Sequence, residues 1–453
     1  MLCYLRRGLR FCGVCNRSNA AILILALGLL YGCQTWQQFW GPVISSLSPT
    51  ALAEGDDLTV NGYQLGGFGA VRAYLGGKEC TIITASETSL TLRVPVGAVS
   101  GKLEISARGA TAVSESEISV ERYVLFATNN AGNIYGSLVD SASGTLATAV
   151  VTGTGGTTNG AIASPKSKIL YVSTGFNNVV RAYNIDKETG GLTTLSGSPF
   201  SIGGIGLESG KIGIDPQGRF LYIFDLANNG PISFQLSSAG VPTPQNTVTN
   251  TALATQIISN RSGTHLYAAN GSDVNFMAVN QTNGSLGTAS TVSVSGSTNE
   301  IAFDPSGSYL FGTRASDIFR ADVGANGALS GISGVAGTSA SSSLAISESG
   351  QCLFTVDSTT TTIRPYAVAG TTLTAKTTAT MSATAIYVRL TPNDKYLYSY
   401  ASSGALGAFR FNQTVLWQRF RALSQRVQIV TAWFLPAWRS KRPKRRENDL
   451  SLH

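Results

Sequence analysis

Between about Tyr123 and Asn412 the apolar residues fall in short runs cut by Gly, Pro, Asn and Asp, a strand-and-turn pattern rather than a helical one. One dipeptide, Leu followed by an aromatic, punctuates the whole stretch. It stands at Leu125-Phe126, Leu170-Tyr171, Leu221-Tyr222, Leu266-Tyr267, Leu310-Phe311, Leu353-Phe354 and Leu397-Tyr398, at intervals of 45, 51, 45, 44, 43 and 44 residues. Five residues before each Leu a turn begins, clearest at Pro165, Asp215-Pro216-Gln217-Gly218, Asp304-Pro305-Ser306-Gly307 and Thr391-Pro392-Asn393-Asp394. Proline presets φ for such a turn, and Gly or Asp tolerates the left-handed position that follows. A second marker trails each pair, as in Ser143-Gly144-Thr145-Leu146, Thr189-Gly190-Gly191-Leu192, Asn283-Gly284-Ser285-Leu286 and Asn326-Gly327-Ala328-Leu329. Each unit of about 45 residues thus reads as four strands, the size of a β-propeller blade, and seven units predict a seven-bladed ring. Six inner strands are countable, at about 160–164, 211–215, 256–260, 300–304, 343–347 and 387–391. The first blade enters at its second strand and the last stops at its third, so the ring is expected to close imperfectly.

The flanking segments obey other patterns. Residues 41–120 hold short alternating strands such as Leu58-Thr59-Val60, Val71 to Leu75, Leu90 to Val94 and Leu103-Glu104-Ile105, separated by Gly-rich turns. This predicts a small β-sandwich. Residues 1–32 pair Arg6, Arg7, Arg10 and Arg17 with an apolar run, Ala20 to Gly32, which suits a signal-peptide core better than a membrane span of about 20 residues. After Asn412 the repeat stops. Leu416, Phe420, Leu423, Val427, Val430 and Phe434 alternate at intervals of four and three, predicting an amphipathic helix ended by Pro436 and a basic run, Arg439 to Arg446. Two readings of this 413–453 tail stand: a basic helix on an anionic membrane surface, or a C-terminus from a shifted reading frame whose helical pattern is accidental.

Composition supports an all-β chain: 50 glycines in 453 residues, with 13% charged residues. The net charge of +8 is concentrated at the ends. Residues 33–412 carry 20 basic and 23 acidic side chains, so the folded part is mildly acidic and nucleic acid is not an expected partner. Of six cysteines, Cys3, Cys12, Cys15 and Cys33 lie in the first 33 residues, leaving Cys80 and Cys352 in different domains as buried small hydrophobes rather than a disulfide.

Three resemblances refine this reading. Leu30-Tyr31-Gly32-Cys33 resembles the lipobox of bacterial lipoproteins, which implies cleavage before Cys33, acylation of that cysteine, and a lipid-anchored protein exported to the (outer) membrane, with residues 33–40 as a linker. Pro42 to Pro49, Gly55…Leu58-Thr59-Val60-Asn61-Gly62 and Val94 to Gly101 resemble the IPT/TIG family of immunoglobulin-like domains, which mostly serve as spacers or binding modules. Asp304-Pro305-Ser306-Gly307-Ser308-Tyr309-Leu310-Phe311 and Tyr183 to Leu192 resemble the lactonase-like seven-bladed propellers related to bacterial 6-phosphogluconolactonase. No Trp-Asp dipeptide supports the WD40 class.

Chemistry is sparse. Gly160, Lys211, Gln256, Glu300, Ser343 and Tyr387 precede the turns in matching register and are expected at the mouth of the central channel. Lys211 and Glu300 are candidates for an acid–base or substrate-gripping pair, and Lys211, Gln256, Glu300 and Tyr387 for ligand binding. The resemblance to lactonases implies His and Arg at that mouth, yet the two histidines are His265, beside a strand start, and the terminal His453. No nucleophile elbow, metal-spaced His cluster or phosphate loop occurs, so no cofactor or metal is expected. The expectation is a monomeric, non-catalytic module binding a protein or glycan and anchored through Cys33, with lactone hydrolysis as the alternative.

Overall fold

The computed structural model describes residues 41–410, except 67–69, 130, 142, 176–177, 203–208, 227, 250, 252, 336–337, 339–340, 358 and 402–405, together with the backbone of 418–420 and 428–429. Cys33, the 1–32 segment and His453 lie outside this set. The chain divides into two compact units, 1–121 and 122–453.

The first unit is a sandwich of two sheets. One is ordered Val43–Ser48, Asp57–Tyr63, Ser89–Arg93, Thr81–Ala85; the other Ala51–Ala53, Ala110–Glu121, Gly101–Ala107, Arg72–Leu75, Lys78–Glu79. Alternation places Leu58, Val60, Leu90, Leu92, Leu103 and Ile105 in one core, while the intervening residues face outward. Cys80 is buried in that core as a free thiol, its pKa pushed up to about 11 chiefly by burial. Among the described residues no helix occurs.

The second unit is the seven-bladed ring. Blade 2 runs Thr158–Ala163, Ile169–Thr174, Val179–Ile185, Leu192–Thr194; blade 3, Ser209–Ile214, Phe220–Asp225, Gly230–Leu236, Pro242–Thr247. In blade 4 the second and third strands are continuous, so Gln256–Ser259, His265–Ala278 and Ser290–Thr298 complete it. Blades 5, 6 and 7 begin at the inner strands Ile301–Phe303, Ser343–Ile346 and Ala385–Leu390. Second strands such as Ile169–Thr174, Phe220–Asp225 and Tyr396–Ala401 are buried at every position, as expected for strands packed on both faces.

The two sequence markers are two ends of one contact. Tyr171, Tyr267 and Tyr398 each donate their hydroxyl to the carbonyl of a turn glycine in the next blade, Gly240, Gly327 and Gly144, the last two belonging to the second marker, at 2.7, 2.6 and 2.7 Å. Those glycines have φ of +78°, +79° and +75°, and a Cβ on Gly144 would lie 2.3 Å from the Tyr396 ring. The aromatic therefore packs between blades while its hydroxyl satisfies a turn carbonyl. His265 serves that packing too, lying beneath Gly327 with Nδ1 3.1 Å from Thr264 Oγ1. The acids of the turn motif accept backbone protons: Asp215 from Phe220 N at 2.9 Å and Asp304 from Tyr309 N at 2.7 Å.

The tail departs from the amphipathic helix expected for it. Gln418–Phe420 pairs with Leu406–Arg410 as the fourth strand of blade 7, and Gln428–Ile429 pairs with Thr128 and Ala127 as the inner strand of blade 1. Both strands absent from the repeat count are thus supplied, and the ring closes. The physical reason is that blades 7 and 1 each present a row of unpaired backbone groups, whose pairing overrides a helical spacing of apolar residues. The remainder of the expected helix lies outside the described residues.

Candidate functional site

The inner strands enter the site in a common register. Each closing turn repeats one hydrogen bond: Ser164 N to Ile169 O, Asp215 to Phe220, Asn260 to His265, Asp304 to Tyr309, Ser347 to Cys352 and Thr391 to Tyr396, all 2.8–3.0 Å. Counting back by twos, the alternation of an antiparallel ladder turns the N–H of Gly160, Gln256, Glu300, Ser343 and Tyr387 toward the second strand, while Lys211 holds the matching position beside a register break between Ser209 and Ile212. The N–H of the following residue then points away from its own blade, toward the preceding one. These outward groups belong to Ala161, Ile212, Ile257, Ile301, Leu344 and Val388.

Three of the six are met by a side chain from the blade before. Ile301 N donates to Gln256 Oε1 at 2.6 Å, Leu344 N to Glu300 Oε2 at 3.0 Å, and Val388 N to Ser343 Oγ at 3.3 Å. Each acceptor stands at the same register position, so Gln256, Glu300 and Ser343 form a running clasp joining blades 4, 5, 6 and 7. Glu300 also pairs through Oε1 with Arg389 Nη2 at 2.6 Å, and Arg389 Nη1 donates to Val388 O at 2.8 Å. The Glu300 side chain is 9% exposed, so both its oxygens are committed to partners.

The clasp stops in blades 2 and 3. Gly160 has no side chain, although a Cβ built there would lie 3.5 Å from Ile212 N, the same approach the clasping residues make. Lys211 carries no acceptor. It lines the channel, and burial lowers its pKa, an effect partly opposed by the charge of Glu300. The Lys211 ammonium has no hydrogen bond or ion pair with any described residue.

These residues line a cavity of about 670 Å³ at the N-terminal ends of the inner strands, with Asn159, Lys211, Gln256, Glu300, Tyr387 and Arg389 among its walls. The volume is that of an ordinary small-ligand site. Its charged lining is two cations against one carboxylate. At the opposite ends of the strands a second cavity, about 460 Å³, is lined by Asp215, Arg261, Glu300, Glu348, Arg389 and Asp394, an acidic excess. Gln256, Glu300 and Arg389 line both, so the clasp and its ion pair stand between the two ends of the channel.

The sequence-derived candidates Lys211, Gln256, Glu300 and Tyr387 are brought to one cavity. Lys211 and Glu300 are not each other's ion pair, because the carboxylate is taken by Arg389. Sequence reasoning missed Arg389. Its signal was available: it lies two residues after Tyr387, hence on the same side of an inner strand. Among the described residues, no group of three or more His, Cys, Asp or Glu side chains could hold a metal ion.

Fold and site define a polar-channelled, seven-bladed propeller following an immunoglobulin-like sandwich. Residues 42–121 match the family model for the IPT/TIG domain, and residues 161–303 match that for the seven-bladed lactonase β-propeller. A candidate 6-phosphogluconolactonase from Bacteroides uniformis superposes with a TM-score of 0.57 at 15% identity, covering 69% of this chain and 98% of that one. The periplasmic gluconolactonase of Pseudomonas aeruginosa gives 0.55 at 14%, covering 69% and 97%. A protein from Lactobacillus plantarum gives 0.56 at 15%, covering 69% and 99%. At these identities the likeness is one of fold. No curated protein sequence matches the chain.

Proposed function

We propose that the propeller is a non-catalytic binding module, following an immunoglobulin-like domain in the chain, displayed outside the cell and anchored by lipid on Cys33. The observation that carries the first part is the engagement of Glu300. A general base needs a lone pair within reach of the proton it takes. Here one oxygen holds Arg389 and the other the N–H of Leu344, so the cavity's carboxylate is fixed in place as a joint between blades. The cavity, with the Lys211 ammonium on its wall, suits recognition of a polar group from a protein or glycan. The test is a panel of sugar lactones offered to the full chain. No hydrolysis above the uncatalysed rate is expected; turnover abolished by Glu300→Gln in a folded protein overturns the reading.

Anchoring rests on the lipobox pattern Leu30-Tyr31-Gly32-Cys33 at the end of the apolar run. Replacing Cys33 with Ala should release the protein from membranes, and continued membrane association would defeat it. A lactonase reading is favoured by one finding, the lactonase propeller match across 161–303, which spans Lys211, Gln256 and Glu300. On that reading Lys211 would stabilise the oxyanion of an opening sugar lactone.

A further inference from the structure

We infer that the gap in the clasp binds anions: the outward N–H groups of Ile212 and Ile257, each facing its own inter-blade gap, together with the ammonium of Lys211, receive the oxygens of an anionic ligand, carboxylate or phosphate. The inference deepens the binding-module reading and rests on it.

The argument begins from the register. In blades 5, 6 and 7 the outward N–H of the inner strand is satisfied by an oxygen from the preceding blade, and that oxygen is amide, carboxylate and hydroxyl in turn. The chemistry varies but the requirement for an acceptor does not. Ile212 and Ile257 carry the equivalent N–H groups, and the residues that should serve them are Gly160 and Lys211. Neither has a side-chain acceptor: Gly160 has no side chain and the Lys211 ammonium only donates. The ladder register turns both N–H groups away from the second strand of their own blade, and both residues line the 670 Å³ cavity. Backbone donors left open beside a cation are the recurrent grammar of anion recognition. An oxyanion there completes the series as Glu300 completes it two blades on.

Charge agrees with this placement. The Glu300 carboxylate is neutralised locally by Arg389, so Lys211 is the cavity's uncompensated charge. Lys211 sits where the pairing of blade 3 is irregular, between Ser209 and Ile212, so the position is not held by a regular ladder.

The experiment titrates the full chain with acetate, with inorganic phosphate and with neutral acetamide, following the backbone amide resonances of Ile212 and Ile257 and the melting temperature. Saturable shifts of both amides and a rise in melting temperature are expected with acetate, phosphate or both, and none with acetamide; the two arms identify which oxyanion fits. The informative variant is Lys211→Gln, which supplies a Gln256-like acceptor for Ile257 N–H and removes the charge. It should melt at or above the parent temperature and respond to anions at least tenfold more weakly. Gly160→Ser gives an independent variant, placing a hydroxyl near Ile212 N as Ser343 does for Val388. Amides that do not move with either anion, or an unchanged anion response in Lys211→Gln, overturn the assignment. Lactone turnover would instead remove the binding-module reading, so the two failures are distinguishable.

Discussion

The inner ring of the propeller contains two arcs built on one backbone geometry. From blade 4 to blade 7, Gln256, Glu300 and Ser343 each reach across to the next strand's N–H. From blade 2 to blade 4, Gly160 and Lys211 occupy the same positions and make no such reach. The closed arc spends its polar atoms on cohesion. The open arc leaves donors facing the channel. A single register therefore carries either structure or recognition, and the residue at one position per blade decides which.

The comparison breaks most visibly at Glu300. Glu300→Ala strands the Arg389 guanidinium and the Leu344 N–H together, and removing one partner of a largely buried pair costs about 3 kcal/mol. Denaturant titration should show that loss, with Glu300→Gln losing less because an amide oxygen still serves Leu344. A cost for Glu300→Ala no larger than for an exposed site would mean the closed arc is not cohesive. Blade-to-blade hydroxyls give the next largest effect. Tyr267→Phe removes a buried hydrogen bond to Gly327 O and should cost about 1 kcal/mol. Tyr222→Phe should be neutral or slightly stabilising, since the buried Tyr222 hydroxyl has no hydrogen-bond partner among the described residues. Equal effects of these two changes on the denaturation midpoint would contradict the pairing of the two markers.

Filling the open arc sharpens the contrast from the other side. Lys211→Gln should gain up to about 1 kcal/mol in the same titration, as a neutral acceptor replaces a desolvated charge. The smallest effect is that of pH. Lys211 is faced in the cavity by Glu300, Arg389 and Tyr387, and burial lowers its pKa from 10.5. Between the lowered value and 10.5 the unfolded chain binds more protons, so this residue's contribution to stability rises with pH across that window. Anion binding needs the ammonium and should weaken over the lower part of the same window. Acetate titrations from pH 7 to 10 should show that decline in the parent and none in Lys211→Gln.

The repeat count, the turn acceptors and the register of the six channel residues were legible in the sequence because each depends on local chemistry. Asp304 must be followed by a turn, and Leu310-Phe311 must be a strand. The clasp was not legible, because nothing in a single blade says that Gln256 serves a backbone group of the next one. For the same reason Glu300 looked like a partner for Lys211. The ion pair with Arg389 depends on the ring bringing blades 5 and 7 to opposite sides of one narrow channel. The tail misled for a different cause. Its apolar spacing fits a helix, and only the open edges of blades 7 and 1, about three hundred residues apart in the chain, require strands there.

That last pairing sets the order in which the molecule can be made. Thr128 waits for Gln428, so blade 1 lacks its inner strand until nearly the whole propeller has been synthesised. Six blades can form from neighbouring stretches of chain, whereas the seventh junction closes a loop whose entropic cost grows only logarithmically with its length but must be met in one step. Until then the exposed edge of Tyr123–Thr128 is a template for any other strand, including the same segment of another nascent chain. Ring closure is thereby a late checkpoint in biogenesis, and a chain shortened before residue 428 would carry that open edge permanently.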